Sequence, residues 1–222
     1  MNLTLFDLDG TLLPTDSDHA FGEFVIAQGW ADAARHRARN DAFYADYQAG
    51  RLDMAAYVDF ATSPWRDRSP AELTAAMQRF LAEVVAPALH PAALDLVRGH
   101  REAGDRVAVV TATNEFVTRP IAQLFGIQTL IATELETDAA GRVTGAIRGT
   151  PAFREGKVMR VQAWLATQGQ RWQDFERVTF YSDSTNDLPL LERASHPVAT
   201  NPSQALQTLA QARGWPVLRL FE

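Results

Sequence analysis

Two hydrophobic patterns divide the chain. Short apolar runs rich in β-compatible residues occur at 3–6, 106–111, 129–132 and 178–182, each closing on a polar or turn-forming residue, which is the pattern of buried strands. Weaker strand signals lie at 196–199 and 216–220. Helical spacing begins at His19 with Phe21, Phe24 and Val25, and returns at 90–103, 118–125, 156–167, 188–193 and 203–213, with Gly104 and Gly126 as stops. Residues 135–137 and 143–145 flank a turn at 139–142 and predict a hairpin. From about residue 31 to 85 no strand is evident. Aromatic residues at helical spacing, broken at Gly50 and at 63–70, predict four helices there, the last with Ser69 as N-cap and Pro70 in its first turn. Strands alternating with helices predict an α/β fold, a doubly wound parallel sheet of Rossmann-like type with right-handed crossovers. The expected core is 1–15 with 87–222, and 16–86 is a helical insertion packed over the end of the first strand.

The composition fits an ordinary globule: 222 residues, 46% hydrophobic and 22% charged. A formal net charge of -6 argues against a sequence-independent grip on nucleic acid. There is no cysteine, which removes disulfides, thiolate metal sites and a cysteine nucleophile. Asp7 and Asp9 interrupt the N-terminal apolar stretch before a signal peptide or membrane span forms, so the expectation is a cytoplasmic protein without membrane contact. No feature of the pattern sets an oligomeric state.

Those two acids are the chemical centre of the chain. In Leu3-Thr4-Leu5-Phe6-Asp7-Leu8-Asp9-Gly10-Thr11-Leu12 a buried strand delivers two carboxylates one residue apart. Alternate residues on an extended segment point the same way, so both acids are expected in the crevice where open α/β sheets bind ligands. Like charges this close need a cation or a shared proton, and Mg²⁺ accepts one or two carboxylates while keeping waters for a phosphate oxygen. A solvated Asp-rich turn would give the same pair. Two other strands end in polar residues: Thr111 with Thr113 and Asn114, then Ser182 and Asp183 followed by Asn186 and Asp187. Parallel strands place these ends on one rim, and Lys157 opens a helix whose N-terminus already favours an anion. Together they make a phosphoryl-transfer site. Singly, Thr111 is a strand end, Lys157 a first-turn surface lysine, and Asp183 and Asp187 helix caps. The five histidines show no metal-ligand spacing, and Trp65-Arg66-Asp67-Arg68 reads as a helix-entry loop, with a lip over the site as the alternative.

The segment Asp7-Leu8-Asp9-Gly10-Thr11, the run ending in Thr111, Lys157 and Asp183-Ser184-Thr185-Asn186-Asp187 resemble, in order, the four motifs of the haloacid-dehalogenase-like hydrolases. The helical insertion is similar to the cap of their phosphoserine-phosphatase-like branch, subfamily IB. The resemblance implies a Mg²⁺-dependent phosphomonoesterase acting on a small phosphorylated metabolite. By the same resemblance Asp7 is the nucleophile and Asp9 the acid and base. Mg²⁺ is held by the Asp7 carboxylate, the Asp9 carbonyl and Asp183, with Asp187 as ligand or behind one. Thr111 and Lys157 bind the phosphoryl oxygens, and Asn186 orients Lys157 or the phosphate.

Two other classes are weighed against this one, a phosphoryl-accepting signalling receiver and a binding protein without turnover. Asp9 and the long insertion disfavour a receiver, which has no substrate to cover. In phosphoserine phosphatases an acid following the first motif faces the substrate amine, and Asp16 occupies a comparable offset. Their cap arginine, which faces the substrate carboxylate, corresponds by counting to Ala61, and Ala112-Thr113 replaces a Gly-Gly pair at the substrate. Phosphoserine is therefore disfavoured, and histidinol phosphate, which has an amine but no carboxylate, becomes the more plausible substrate.

Overall fold

The computed structural model describes residues 1–221. In chain order it contains β1 (Asn2–Phe6), α1 (Ser17–Ala27), α2 (Ala33–Gln48), α3 (Met54–Thr62), α4 (Pro70–Phe80), a π-helical turn (Leu81–Val85) and α5 (Ala86–Ala88). Then come α6 (Pro91–Glu102), β2 (Arg106–Asn114), α7 (Glu115–Leu124), β3 (Thr129–Thr133), β4 (Leu135–Thr137), β5 (Val143–Ile147) and α8 (Glu155–Thr167). The chain closes with β6 (Arg177–Ser182), α9 (Leu188–Arg193), β7 (His196–Thr200), α10 (Gln204–Arg213) and β8 (Val217–Leu218).

Six parallel strands form one sheet in the order β3-β2-β1-β6-β7-β8, while β4 and β5 pair antiparallel as the expected hairpin. The order reverses at β1, whose neighbours β2 and β6 follow it by way of different crossovers. A crevice opens at such a point, outside the carboxyl ends of the strands. Alternation along β1 feeds both faces of the sheet. Leu3 and Leu5 pack with Val161, Leu165, Leu190 and Leu206 of α8, α9 and α10. Phe6 joins Val97, Val109 and Ile121 on the other face. That second cluster runs without a break into the inserted helices through Phe21, Phe24, Trp65 and Phe80.

Three expectations are modified. The stretch 31–85 holds three α-helices instead of four, because the segment before Ser69 forms only α2 and α3; the helix that Ser69 caps is α4, which runs on into the π-helical turn. Strand β2 runs three residues past Thr111, where an irregularity in its pairing with β3 brings Asn114 opposite Thr133. Helix α7 consequently starts early: the Asn114 side chain accepts from Val117 N–H as its N-cap. Trp65 is a core residue, 1% exposed and stacked on Phe116 at 4.3 Å, in keeping with the helix-entry reading of this loop.

Candidate active site

The first turn after β1 sets the site. The chain leaves the sheet at Asp7, whose N–H still donates to Tyr181 C=O at 2.9 Å, and turns at Gly10 with φ 74°. Only glycine serves here, since a Cβ at residue 10 would sit 2.5 Å from Asp183 Oδ2. The carboxylate of Asp183, brought by the end of β6, lies directly against that turn and accepts from Thr11 Oγ1 at 3.2 Å.

Lys157, in the first turn of α8, reaches the same place from the other side. Its Nζ donates to Asp7 Oδ1 at 2.8 Å and to Asp187 Oδ2 at 2.7 Å. All three side chains are buried, so the ammonium is held by two carboxylates in low dielectric. Burial opposes its charge, but Asp187 and Asp7 outweigh it and raise its pKa. Asp187 Oδ2 also accepts from Ser182 Oγ at 2.8 Å.

Asp9 is held differently. Its Oδ1 accepts from Ser17 N–H at 2.8 Å and its Oδ2 from Thr113 Oγ1 at 2.9 Å. Burial and the charge of Asp16 push its pKa well up. Burial also raises Asp7 to about 6, against the pull of Lys157. Asp183 is driven well above the usual carboxylate range by burial and by its neighbours Asp7 and Asp187. One lysine thus answers several acids.

A cavity of about 210 Å³ opens over these groups. Its floor includes Asp7, Asp9, Asp183, Thr111 and Ala112, and its roof is Phe43, Tyr44, Tyr47 and Tyr57 from α2 and α3. Asp16 lines it as well, with Oδ1 already capping α1 by accepting from the N–H groups of Asp18 and His19. No arginine or lysine is among the described residues that line it.

Of the residues singled out in the sequence, Asp7, Asp9, Asp16, Thr111, Ala112 and Asp183 meet at this cavity, with Lys157 and Asp187 directly behind Asp7. Asn186 is engaged elsewhere: its Nδ2 donates to the Tyr47 carbonyl at 2.9 Å, at the end of α2. Ala61 lies outside the lining. Thr113 was named only as part of a polar strand end, and three contributors, Asn201, Tyr47 and Tyr57, were missed. Thr113 falls two residues beyond Thr111, a spacing that in a continuing strand would have placed both on one face. Asn201 donates from Nδ2 to the carbonyls of Gly10 and Thr11 at 2.9 and 3.1 Å, bracing the first turn. Tyr47 and Tyr57 carry no local signal distinguishing them from core aromatics.

The oxygen-only set suits a hard divalent cation. Among the described residues no three acid or histidine side chains form a ready cage. Two carboxylates and a carbonyl are nevertheless what an ion that keeps several waters requires, and the surplus of buried acids over Lys157 calls for added positive charge.

Comparison with known proteins agrees with this geometry. Residues 4–192 match the family model described as haloacid dehalogenase-like hydrolase. A histidinol-phosphatase of Neisseria meningitidis serogroup C (strain 8013) is 46% identical over 217 residues, covering 98% of both chains. The crystal structure of a protein of unknown function from Bordetella pertussis Tohama I superposes with a TM-score of 0.93 at 51% identity, covering 99% of each chain. A substrate-bound phosphoserine phosphatase shares the fold at a TM-score of 0.67 and 16% identity, over 97% of this chain and 91% of that one.

Proposed function

The chain belongs to the haloacid dehalogenase-like hydrolases, and from that premise we propose how its own residues carry out the reaction. It is a phosphoric monoester hydrolase acting on a small phosphorylated metabolite. In our reading an Asp7 carboxylate oxygen attacks phosphorus as the bond to the alcohol oxygen breaks, leaving an aspartyl phosphate. Asp9 gives its proton to the departing oxygen. As a carboxylate it then takes a proton from the water that attacks the aspartyl phosphate, releasing inorganic phosphate and freeing Asp7. The raised proton affinity of Asp9 suits the first of these steps. Lys157 and Thr111 bind the phosphoryl oxygens, where a fixed ammonium and hydroxyl favour the charge of the transition state. The observation that carries this reading is the Lys157 ammonium 2.8 Å from the buried Asp7 carboxylate, with Asp9 two residues along at the same cavity.

Magnesium belongs to the proposal. When bound it would supply positive charge to the phosphoryl oxygens, held by the Asp7 and Asp183 carboxylates and the Asp9 carbonyl. Asp187 is committed to Lys157 and Ser182 and is assigned to positioning the lysine. We read 16–86 as the cap, with 1–15 and 87–222 as the core, and place the enzyme in the cytoplasm.

For the substrate we propose histidinol phosphate. The 46% identical relative carries the name histidinol-phosphatase. The cavity supports the same choice, because Asp16 offers a carboxylate to an amine, Phe43 and Tyr57 offer aromatic surface to a flat ring, and among the described residues no guanidinium or ammonium lines it for a substrate carboxylate. Phosphate release from histidinol phosphate, phosphoserine and a panel of sugar phosphates tests this. Histidinol phosphate is expected to have the highest kcat/KM, and efficient phosphoserine turnover would contradict the assignment.

A further inference from the structure

The C-terminal end of α2 is tied to the core by contacts that the chemistry does not use. The Tyr47 carbonyl accepts from Asn186 Nδ2, and the Gly50 carbonyl accepts from Arg154 Nη1 at 2.7 Å. The rings of Tyr47 and Phe153 lie 5.9 Å apart. Gly50 sits between them at φ 68°, in the left-handed region that glycine enters without strain, and its Cα side faces Arg154 Nη1 and Asn186 Oδ1 at ordinary contact distance. Arg154 is also unusual in its backbone. It heads α8 at φ 53° and ψ -123°, a region that glycine enters freely and a residue carrying a Cβ does not. Lys157 follows three residues later, and its N–H donates to the Arg154 carbonyl at 3.0 Å. The next residue but one is equally constrained: a Cβ at Gly156 would overlap the Pro151 carbonyl.

An exposed arginine would ordinarily be a solvated charge, and the Arg154 side chain is 45% exposed. Two features set it apart: its guanidinium is spent on a backbone carbonyl of the insertion, and its own main chain is strained at the head of the helix carrying Lys157. Strain of this kind persists where surrounding contacts over-determine it. We propose that Arg154 is a positioning residue that couples the seating of α2 to the placement of Lys157. With the Gly50 carbonyl engaged, Tyr47 roofs the acids and the first turn of α8 holds the ammonium between Asp7 and Asp187. With it released, both loosen together. The kinetic consequence rests on the phosphatase reading, whereas the coupling itself does not.

Arg154→Gly and Arg154→Ala in the full chain separate strain from contact. Glycine accepts the same backbone conformation without strain, alanine keeps the strain, and both lose the guanidinium. With p-nitrophenyl phosphate and Mg²⁺, both variants are expected to lose kcat by about tenfold at nearly unchanged KM, as for a small misplacement of a reacting group. Thermal midpoints should divide them, with Arg154→Gly at or above wild type and Arg154→Ala below it. Amide exchange over 44–50 should quicken by about tenfold in both. Wild-type kcat and wild-type exchange in Arg154→Gly would overturn the proposal, as would a loss of kcat that follows the thermal midpoint. If the wild-type protein hydrolyses no phosphomonoester, the phosphatase reading fails by itself. The exchange measurement then decides the coupling alone: faster exchange supports it and unchanged exchange overturns it.

Discussion

Lys157 Nζ lies 2.8 Å from Asp7 Oδ1, two side chains 150 positions apart in the chain and both almost wholly buried. Neither would be tolerated there alone, because an isolated buried charge costs several kcal/mol. Asp187, 2.7 Å from the same ammonium, completes the group.

Replacing the lysine therefore has a structural as well as a catalytic effect. Lys157→Met leaves Asp7 and Asp187 buried without their cation, and a stability loss of roughly 3–5 kcal/mol is expected. Urea unfolding reads it, and phosphatase activity should fall below detection in the fraction that remains folded. A variant as stable and as active as wild type would show that the ammonium is not needed in this cluster.

Asp9→Asn keeps an oxygen for Ser17 N–H and an amide for the Thr113 hydroxyl, so folding should be little changed. The proton donor is lost. A drop in kcat of about 10²–10⁴ is expected, the usual contribution of a positioned acid or base. The loss should be smaller for aryl phosphates, whose leaving groups need less protonation, than for alkyl phosphates.

Gly10→Ala places a methyl 2.5 Å from Asp183 Oδ2 in a backbone conformation with φ 74°. Something must move, and Asp183 is the movable partner. The expected result is a destabilisation of about 1–3 kcal/mol in thermal or urea unfolding together with weakened activation by Mg²⁺. A normal Mg²⁺ titration would contradict the placement of Asp183 as a ligand.

Asp18 gives a pH signature of its own behind the cavity roof. It accepts from Tyr57 Oη at 2.8 Å and Asn114 Nδ2 at 3.2 Å, and burial together with the charge of Asp16 pushes its pKa to about 7. The folded form binds this proton more tightly than the unfolded chain does. Its contribution is therefore neutral below about pH 4 and increasingly destabilising as pH rises towards 7, reaching about 4 kcal/mol. Asp18→Asn should flatten the fall in unfolding free energy over that interval. An unchanged slope would assign it to other groups.

Much of this was legible in the sequence because it is written locally. Strand runs such as 3–6 and 178–182, the Ser69 cap with Pro70 and the carboxylates following β1 depend only on neighbours along the chain. The bracing of the Gly10–Thr11 turn by Asn201 was not legible, since it depends on the loop after β7 reaching across the end of β6 to the turn after β1. Asn186 was expected to orient Lys157 or the phosphate; its amide donates to the Tyr47 carbonyl, a partner that comes from an insertion whose approach to the core no local pattern encodes. The start of α7 was misplaced for a smaller reason. Asn114 read as a strand end, and it is also a cap, two roles that one side chain can fill.

The central claim is that Asp7 carries the phosphoryl group. Quenching the enzyme during turnover of histidinol phosphate, reducing with borohydride and sequencing the peptides by mass spectrometry tests it directly, because an acyl phosphate is reduced where a free carboxylate is not. The account predicts homoserine at position 7 in the turnover sample and unmodified aspartate in the sample without substrate. Aspartate unmodified at position 7 in both, with the reduced residue found elsewhere, would contradict it.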